Sequence, residues 1–341
     1  MFIAIIGTRL SGKSTVETYL TEKGFTPVRR SVGKRSSNSF LSLGSAISSP
    51  NSPVSHGFGG NGSEQLLCFA SAAELLEHVT RNWRKDFVTQ DLRTEQAIQM
   101  FIKRPFFMLL SIDGPISDRF RRANNDRAGV SLDAFIIAND ADVYGRRSDT
   151  TENGQVDHPS PLHSLQEYVT LHVVNNFDTV AALHSYLDDI NILDADRLRP
   201  SWDSYFMTLA SLASMRSNCM KRRVGAILVR DKRIVGTGYN GTPLGLTNCN
   251  EGGCARCNGL EARESCLCLH AEENALLEAG RERVSGATLY CNTCPCLTCT
   301  VKIVQTGVKE VVYNLSYKVD DASAKILQDA GVILRRHRQA S

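Results

Sequence analysis

The stretch CLCLHAEENALL, Cys266 to Leu277, sets an imidazole at His270 and a carboxylate two residues later at Glu272, where a helical apolar period begins. A second stretch, PCLTC at residues 295–299, brings in two thiols, Cys296 and Cys299, at another expected helix start. One imidazole and two thiolates form a three-ligand set, and catalytic zinc keeps three protein ligands while leaving its fourth tetrahedral position to water. A helix start favours thiolate over thiol through its free amides and dipole. Zinc lowers the pKa of its water toward neutrality, so a carboxylate at Glu272 can take the proton and leave a nucleophile for an electron-poor ring carbon. The same carboxyl can then protonate a ring nitrogen and a departing amine. The plainer alternatives are a structural zinc beside an ordinary first-turn carboxylate, or a redox C-x-x-C. Neither explains two half-motifs that each open a helix.

The distribution of cysteine supports a metal. Ten of the eleven cysteines lie between Cys219 and Cys299. In a 341-residue chain that begins with a glycine motif and not a basic leader, thiols are expected to stay reduced, which favours metal binding over disulfides. A net charge of +3 gives no broad footprint for nucleic acid. No apolar run approaches the roughly 20 residues that span a bilayer. A small-molecule ligand and a cytoplasmic location are expected, with the nucleus left open. Arg335, Arg336, His337 and Arg338 read as a solvated basic end, with a phosphate contact as the alternative.

Two domains must carry these residues. FIAIIG, a buried strand, leads through GTRLSGKS into a helical stretch ending at Gly24. Those residues fit G-x-x-x-x-G-K-[ST]: the amides from Gly7 to Gly12 cradle phosphate, Lys13 reaches the outer phosphates, and Ser14 meets magnesium. Asp113, closing the strand FFMLLSID, is a candidate second magnesium group. A magnesium nucleoside triphosphate is therefore a candidate ligand, and the region resembles a P-loop nucleoside monophosphate kinase domain. Residues 30–63, crowded with Ser, Gly and Pro, are expected to form a disordered insertion. RFRRANNDR (119–127) reads as a solvated helix or as a lid bearing arginines, the former preferred. Alternating strands and helices predict a mostly parallel α/β domain over residues 1–192.

From residue 201 to 338 the order is helix, two strands, then alternating helices and strands. VGAILV (224–229), GYNGTP (238–243), HAEENALL (270–277), TLYCNTCPCLTC (288–299), and GVKEVVYN with SYKVDD (307–321) together resemble the cytidine and deoxycytidylate deaminase superfamily, in particular its fungal deoxycytidylate branch. H-x-E with P-C-x-x-C is a known zinc-deaminase signature.

The resemblance implies an α/β/α sandwich around a mixed sheet and hydrolysis of dCMP to dUMP and ammonia, supplying thymidylate synthesis. It further implies a homo-oligomer, a hexamer, activated by dCTP and inhibited by dTTP at a site near GYNG. It assigns zinc to His270, Cys296 and Cys299, the proton role to Glu272, and substrate contacts to Asn240, Ala271 and Tyr317. Asn240 read without that likeness belongs to a turn, and Tyr317 to a packed aromatic. Lys221, Arg222 and Arg223 are equal candidates for the substrate phosphate. Some relatives hold a second zinc in the loop before the histidine with ligands this chain lacks. A four-thiolate site on Cys219, Cys249, Cys257 and Cys268 can replace it, with Cys254 or Cys266 as substitutes and buried reduced cysteines as the alternative. The competing functions are a deaminase of cytidine, cytosine or a tRNA base, and a P-loop nucleotide-binding protein carrying an inert zinc module.

Overall fold

The structure, a computed structural model, describes residues 1–30, 67–126, 129–145, 158–259, 265–316 and 321–337. Most of the expected insertion at 30–63 lies outside these residues, as does Tyr317. The chain divides into two compact units, Met1–Asp194 and Ala195–Ser341.

The first unit runs β1 (Phe2–Gly7), α1 (Lys13–Glu22), β2 (Thr26–Arg30), β3 (Leu67–Phe69), α2 (Ala72–Arg81), β4 (Phe87–Thr89), α3 (Glu95–Phe101), β5 (Phe107–Asp113), α4 (Ile116–Asp126), α5 (Leu132–Tyr144), β6 (Leu171–Val174) and α6 (Val180–Asp189). Its strands pair in the order β3-β2-β4-β1-β5-β6, and every pairing is parallel. The apolar run of β1, and that of β5 up to Leu110, suit this position, because a parallel strand flanked on both edges is buried on both faces. Ser71, Thr94, Ser131 and Thr179 each accept a backbone N–H in the first turn of the helix they precede, which fixes where α2, α3, α5 and α6 begin.

The second unit runs α7 (Trp202–Ser214), β7 (Gly225–Arg230), β8 (Arg233–Tyr239), α8 (Ala255–Asn258), α9 (Ala271–Ala279), α10 (Arg281–Val284), β9 (Thr288–Thr293), α11 (Leu297–Gln305), β10 (Glu310–Leu315), α12 (Asp321–Asp329) and β11 (Ile333–Arg336). The sheet order is β11-β10-β9-β7-β8, with β7 antiparallel to both neighbours and the other pairs parallel. Strand alternation sorts its two faces. Ile227, Val229, Tyr290 and Val312 meet Phe206, Met207 and Ala210 of α7. Ala226, Leu228, Leu289 and Val311 meet residues of α9, α11 and α12. The expected mixed-sheet α/β/α sandwich is observed.

The expectation of a solvated basic end fails at Arg335. From β11 its guanidinium reaches Asp203 at 2.5 Å and Glu310 at 3.0 Å, and Asp203 also accepts the Tyr290 hydroxyl at 2.8 Å. The arginine thus joins the sheet edge to the start of α7.

Candidate active site

Two backbone contacts without side chains bring the chemical groups together. A Cβ at Gly238 would lie 2.0 Å from the Ala271 carbonyl oxygen, and one at Gly236 would lie 2.6 Å from that of Ala275. The matching face of α9 is Ala271, Ala275 and Ala279, all buried. Glycine on the strand and alanine on the helix let α9 lie against β8 at a distance no larger pair permits. Gly225 does the same for α7, since a Cβ there would lie 2.0 Å from the Ala210 carbonyl oxygen.

His270 caps the N-terminus of α9, and Cys296 caps that of α11. The His270 amide donates to Glu273 Oε2 at 2.8 Å, and Glu273 forms an ion pair with Lys302 of α11. One carboxylate therefore closes the first turn of α9 and ties it to the neighbouring helix. Across this junction His270 Nδ1 stands 3.4 Å from Cys296 Sγ and 3.2 Å from Cys299 Sγ.

The electrostatics fit that arrangement. Cys299 and hydrogen bonding to His270 hold the Cys296 thiol down at about 3, against the opposing effect of burial. Cys299 is pushed up by its bond to Cys296 and by burial. The Cys296 thiolate raises the His270 imidazole. Glu272 is 3% exposed, and burial lifts its carboxyl to about 7. A carboxyl with that value exchanges protons readily at neutral pH.

His270, Cys296 and Cys299 form a group whose ligand atoms all lie within 4.8 Å of one another. Zinc bonds of usual length to sulfur and imidazole nitrogen require an S···N edge of about 3.5 Å in a tetrahedron, so the donor set suits that ion in both chemistry and spacing.

The other expected site residues are placed as follows. Asn240 is buried, its Oδ1 accepting from Ser217 Oγ at 2.7 Å and the Val224 amide at 2.8 Å, while Nδ2 donates to the Arg222 carbonyl at 2.9 Å. Ala271 is the first residue of α9 and is buried. Lys221, Arg222 and Arg223 are exposed. Cys219, Cys249, Cys257 and Cys268 gather within 4.8 Å, and so do Cys254, Cys257, Cys266 and Cys268. Sequence reasoning missed Ser217, Glu273 and Lys302, whose roles depend on neighbours that only the fold supplies.

In the first unit Gly7 ends β1, Gly12 precedes α1 with a left-handed φ of 101°, and Lys13 and Ser14 open that helix. Lys13 Nζ donates to the carbonyls of Gly7 and Thr8, and burial lowers its pKa to about 8. Asp113 accepts from Thr8 Oγ1 at 2.6 Å. A cavity of about 220 Å³ is lined by Gly7, Thr8 and Asp113, among others. The preferred reading of residues 119–127 as a solvated helix is corrected for two arginines. Arg119 is buried and donates to Gly114 and Asn139, and Arg122 donates to the Leu10 carbonyl in the glycine loop at 3.1 Å.

A family model described as the cytidine and deoxycytidylate deaminase zinc-binding region matches residues 200–315. The chain is 48% identical over 280 residues to the deoxycytidylate deaminase of Schizosaccharomyces pombe, covering 80% of this chain and 83% of that protein. The chain belongs to the deoxycytidylate deaminase family. It is a zinc-dependent hydrolytic deaminase acting on a cytidine or deoxycytidylate type of substrate. The Saccharomyces cerevisiae deoxycytidylate deaminase is 47% identical over 268 residues, 77% of this chain and 85% of that protein. The deoxycytidylate deaminase of Mycobacterium phage D29 is 43% identical over 124 residues, covering 34% of this chain and 95% of that protein. Similarity to the two yeast proteins thus extends well beyond residues 200–315, whereas the phage protein is matched by about a third of the chain. Among the described residues no helix is long and apolar enough to cross a membrane.

Proposed function

We propose that this deaminase converts dCMP to dUMP and ammonia, with His270, Cys296 and Cys299 holding the zinc and Glu272 carrying the proton. The observation that carries the reading is the buried Glu272 carboxyl two residues from His270, lifted to about 7. Zinc held there supplies Lewis acidity that makes its water easier to deprotonate. Glu272 takes a proton from the attacking water at a carboxyl oxygen and delivers it to the ring nitrogen N3 as the new C4–O bond forms. It then moves the proton left on the new C4 hydroxyl to the amino nitrogen, the C4–N bond breaks as C4=O forms, and ammonia leaves. Asn240 and Ala271 position the nucleotide at the mouth of α9, with Tyr317 as a further contact. Asn240, fixed by Ser217 and Val224, keeps one amide hydrogen beyond its bond to Arg222, and a sugar hydroxyl can accept it.

Incubation of the purified protein with dCMP, deoxycytidine and cytosine, followed by ammonia release, tests the substrate. Release from dCMP alone is expected, and equal release from deoxycytidine overturns the assignment.

The first unit serves as a P-loop domain that binds a magnesium nucleoside triphosphate through Gly7, Gly12, Lys13 and Ser14, not as a kinase. The strand, glycine loop and helix around a half-buried lysine support this, as does the neighbouring cavity. Calorimetry with magnesium ATP is expected to give heat with the wild type and none with Lys13→Ala; no heat with either removes the proposal. The enzyme works as a hexamer in the cytoplasm or nucleus, activated by dCTP and inhibited by dTTP. The exposed Leu212, Met215, Leu244 and Leu246 support an oligomeric surface. Light scattering and assays with each triphosphate test these two points, and a monomer or unchanged rates count against them. A structural zinc module in the cysteine loop completes the fold.

A further inference from the structure

Six cysteines flank the β7–β8 hairpin between α7 and α9, Cys219 before it and the other five in the loop after it, and among the described residues the small buried core they form consists of cysteine alone. Cys249, Cys254 and Cys268 are buried together, with Cys219 and Cys257 packed against them. Among the described residues no aliphatic side chain belongs to that cluster. All six thiols are free. The sulfur pairs resolved at close range lie 3.6 to 3.9 Å apart, nearly twice a disulfide bond. In a zinc tetrathiolate with ordinary bonds, each edge of the tetrahedron is about 3.8 Å.

The two four-cysteine groups are not separate. Cys219 and Cys249 complete one and Cys254 and Cys266 the other, and both contain Cys257 and Cys268. These shared sulfurs stand 3.9 Å apart, the length of a common tetrahedral edge. Cys257 Sγ is 3.9 Å from Cys219 Sγ on one side and 3.6 Å from Cys266 Sγ on the other. Two independent tetrathiolate ions would need eight cysteines, and residues 219–268 have six. Shared corners meet the shortfall.

We propose that residues 219–268 hold a binuclear zinc–thiolate cluster in which Cys257 and Cys268 bridge the two ions, Cys219 and Cys249 complete one tetrahedron, and Cys254 and Cys266 complete the other. This deepens the reading of the loop as a zinc module by changing its metal count and ligation. Loading involves no redox step: six thiols lose six protons as two divalent ions bind, leaving a net charge of minus two on the cluster. Three of the terminal sulfurs have N–H donors to offset that charge. Cys219 accepts from the amides of Lys221 and Arg222, Cys249 from the Met220 amide at 3.5 Å and Asn258 Nδ2 at 3.8 Å, and Cys254 from the amides of Leu267 and Cys257. Outer donors of this kind hold metal ligands in orientation.

The cluster sits where it can fix both sides of the active site. Cys268 is two residues before His270, and the intervening Leu269 exchanges two backbone hydrogen bonds with Gly241, at 2.9 and 3.2 Å. Cys219 is two residues after Ser217, whose hydroxyl holds Asn240 at 2.7 Å.

Native mass spectrometry of the full-length protein, purified with a reductant and zinc, gives the test. Three zinc ions per chain are expected, and two in Cys299→Ser, which removes one ligand of the active-site ion. Cys219→Ser and Cys266→Ser are each expected to lose at least one ion from the loop. A wild type with two ions, in which one of those two variants is silent, overturns the bridged cluster while leaving a single structural zinc in place. A wild type with one ion removes the zinc module altogether. Cadmium-113 NMR of the cadmium-loaded wild type requires no variant to fold: two cadmium resonances coupled to each other through the shared sulfurs are expected. A single loop resonance, or two without coupling, contradicts the bridge.

Discussion

Gly238 and Ala271 approach so closely that a Cβ on the glycine would stand 2.0 Å from the alanine carbonyl oxygen. This contact seats the helix that begins after His270, so the strand's lack of a side chain fixes where the imidazole and Glu272 lie. Gly238→Ala must move α9 or β8, and overpacking of this kind costs about 1–3 kcal/mol. Thermal unfolding should show a lower Tm, and the zinc content of the active site should fall with it. An unchanged Tm and full zinc would mean that the close approach does not position the site.

Glu272 is expected to act on protons and not to ligate the metal. Glu272→Gln keeps the shape and removes the titrating oxygen, so kcat should fall by about 10²–10⁴, the usual contribution of a general acid–base group. Metal analysis should find the zinc content unchanged. A variant with near wild-type turnover refutes the proton role, and a variant that loses zinc makes Glu272 a ligand.

The Glu273–Lys302 pair gives an ordered comparison. Lys302 is about half exposed, 47%, whereas Glu273 is 13% exposed and also accepts the His270 amide. Lys302→Met should lower stability by about 1 kcal/mol at most, as exposed pairs do. Glu273→Gln should cost more, because the capping bond is weakened as well. Chemical denaturation of both variants checks the order, and a costlier lysine change would contradict it.

Much of this site was legible in the chain because its ligands sit at short spacings on helix starts: H-x-E and C-x-x-C are local patterns that a turn of helix explains. The Arg335–Asp203 pair was not, since its partners are 132 positions apart and meet only when β11 joins the sheet edge. Strands β3 and β4, three residues each, are too short to display a period. The four cysteines expected to form one zinc site do gather, but Cys254 and Cys266 were read as substitutes. Only the fold makes them a second set sharing two members with the first.

Arg335 also gives a pH dependence. Its guanidinium holds the Asp203 carboxyl below the ordinary value of 3.8, and the Tyr290 hydroxyl adds to this. A carboxylate depressed in the folded state adds stability that is fully present above its unfolded pKa and is lost as pH falls through the folded one. Wild type should therefore exceed Asp203→Asn by about 1 kcal/mol at pH 7, the partial exposure of the pair limiting the difference. The gap should close below pH 3.8 as the carboxyl protonates. A gap that persists undiminished in acid would assign the effect to packing.

An anomalous difference map at the zinc edge, from crystals of the zinc-loaded enzyme, shows whether Glu272 faces an open zinc centre. A peak is expected about 2.3 Å from the sulfurs of Cys296 and Cys299 and about 2.0 Å from His270 Nδ1, with no fourth protein ligand. No peak among these three atoms, or an ion closed off by a fourth side chain, would contradict it.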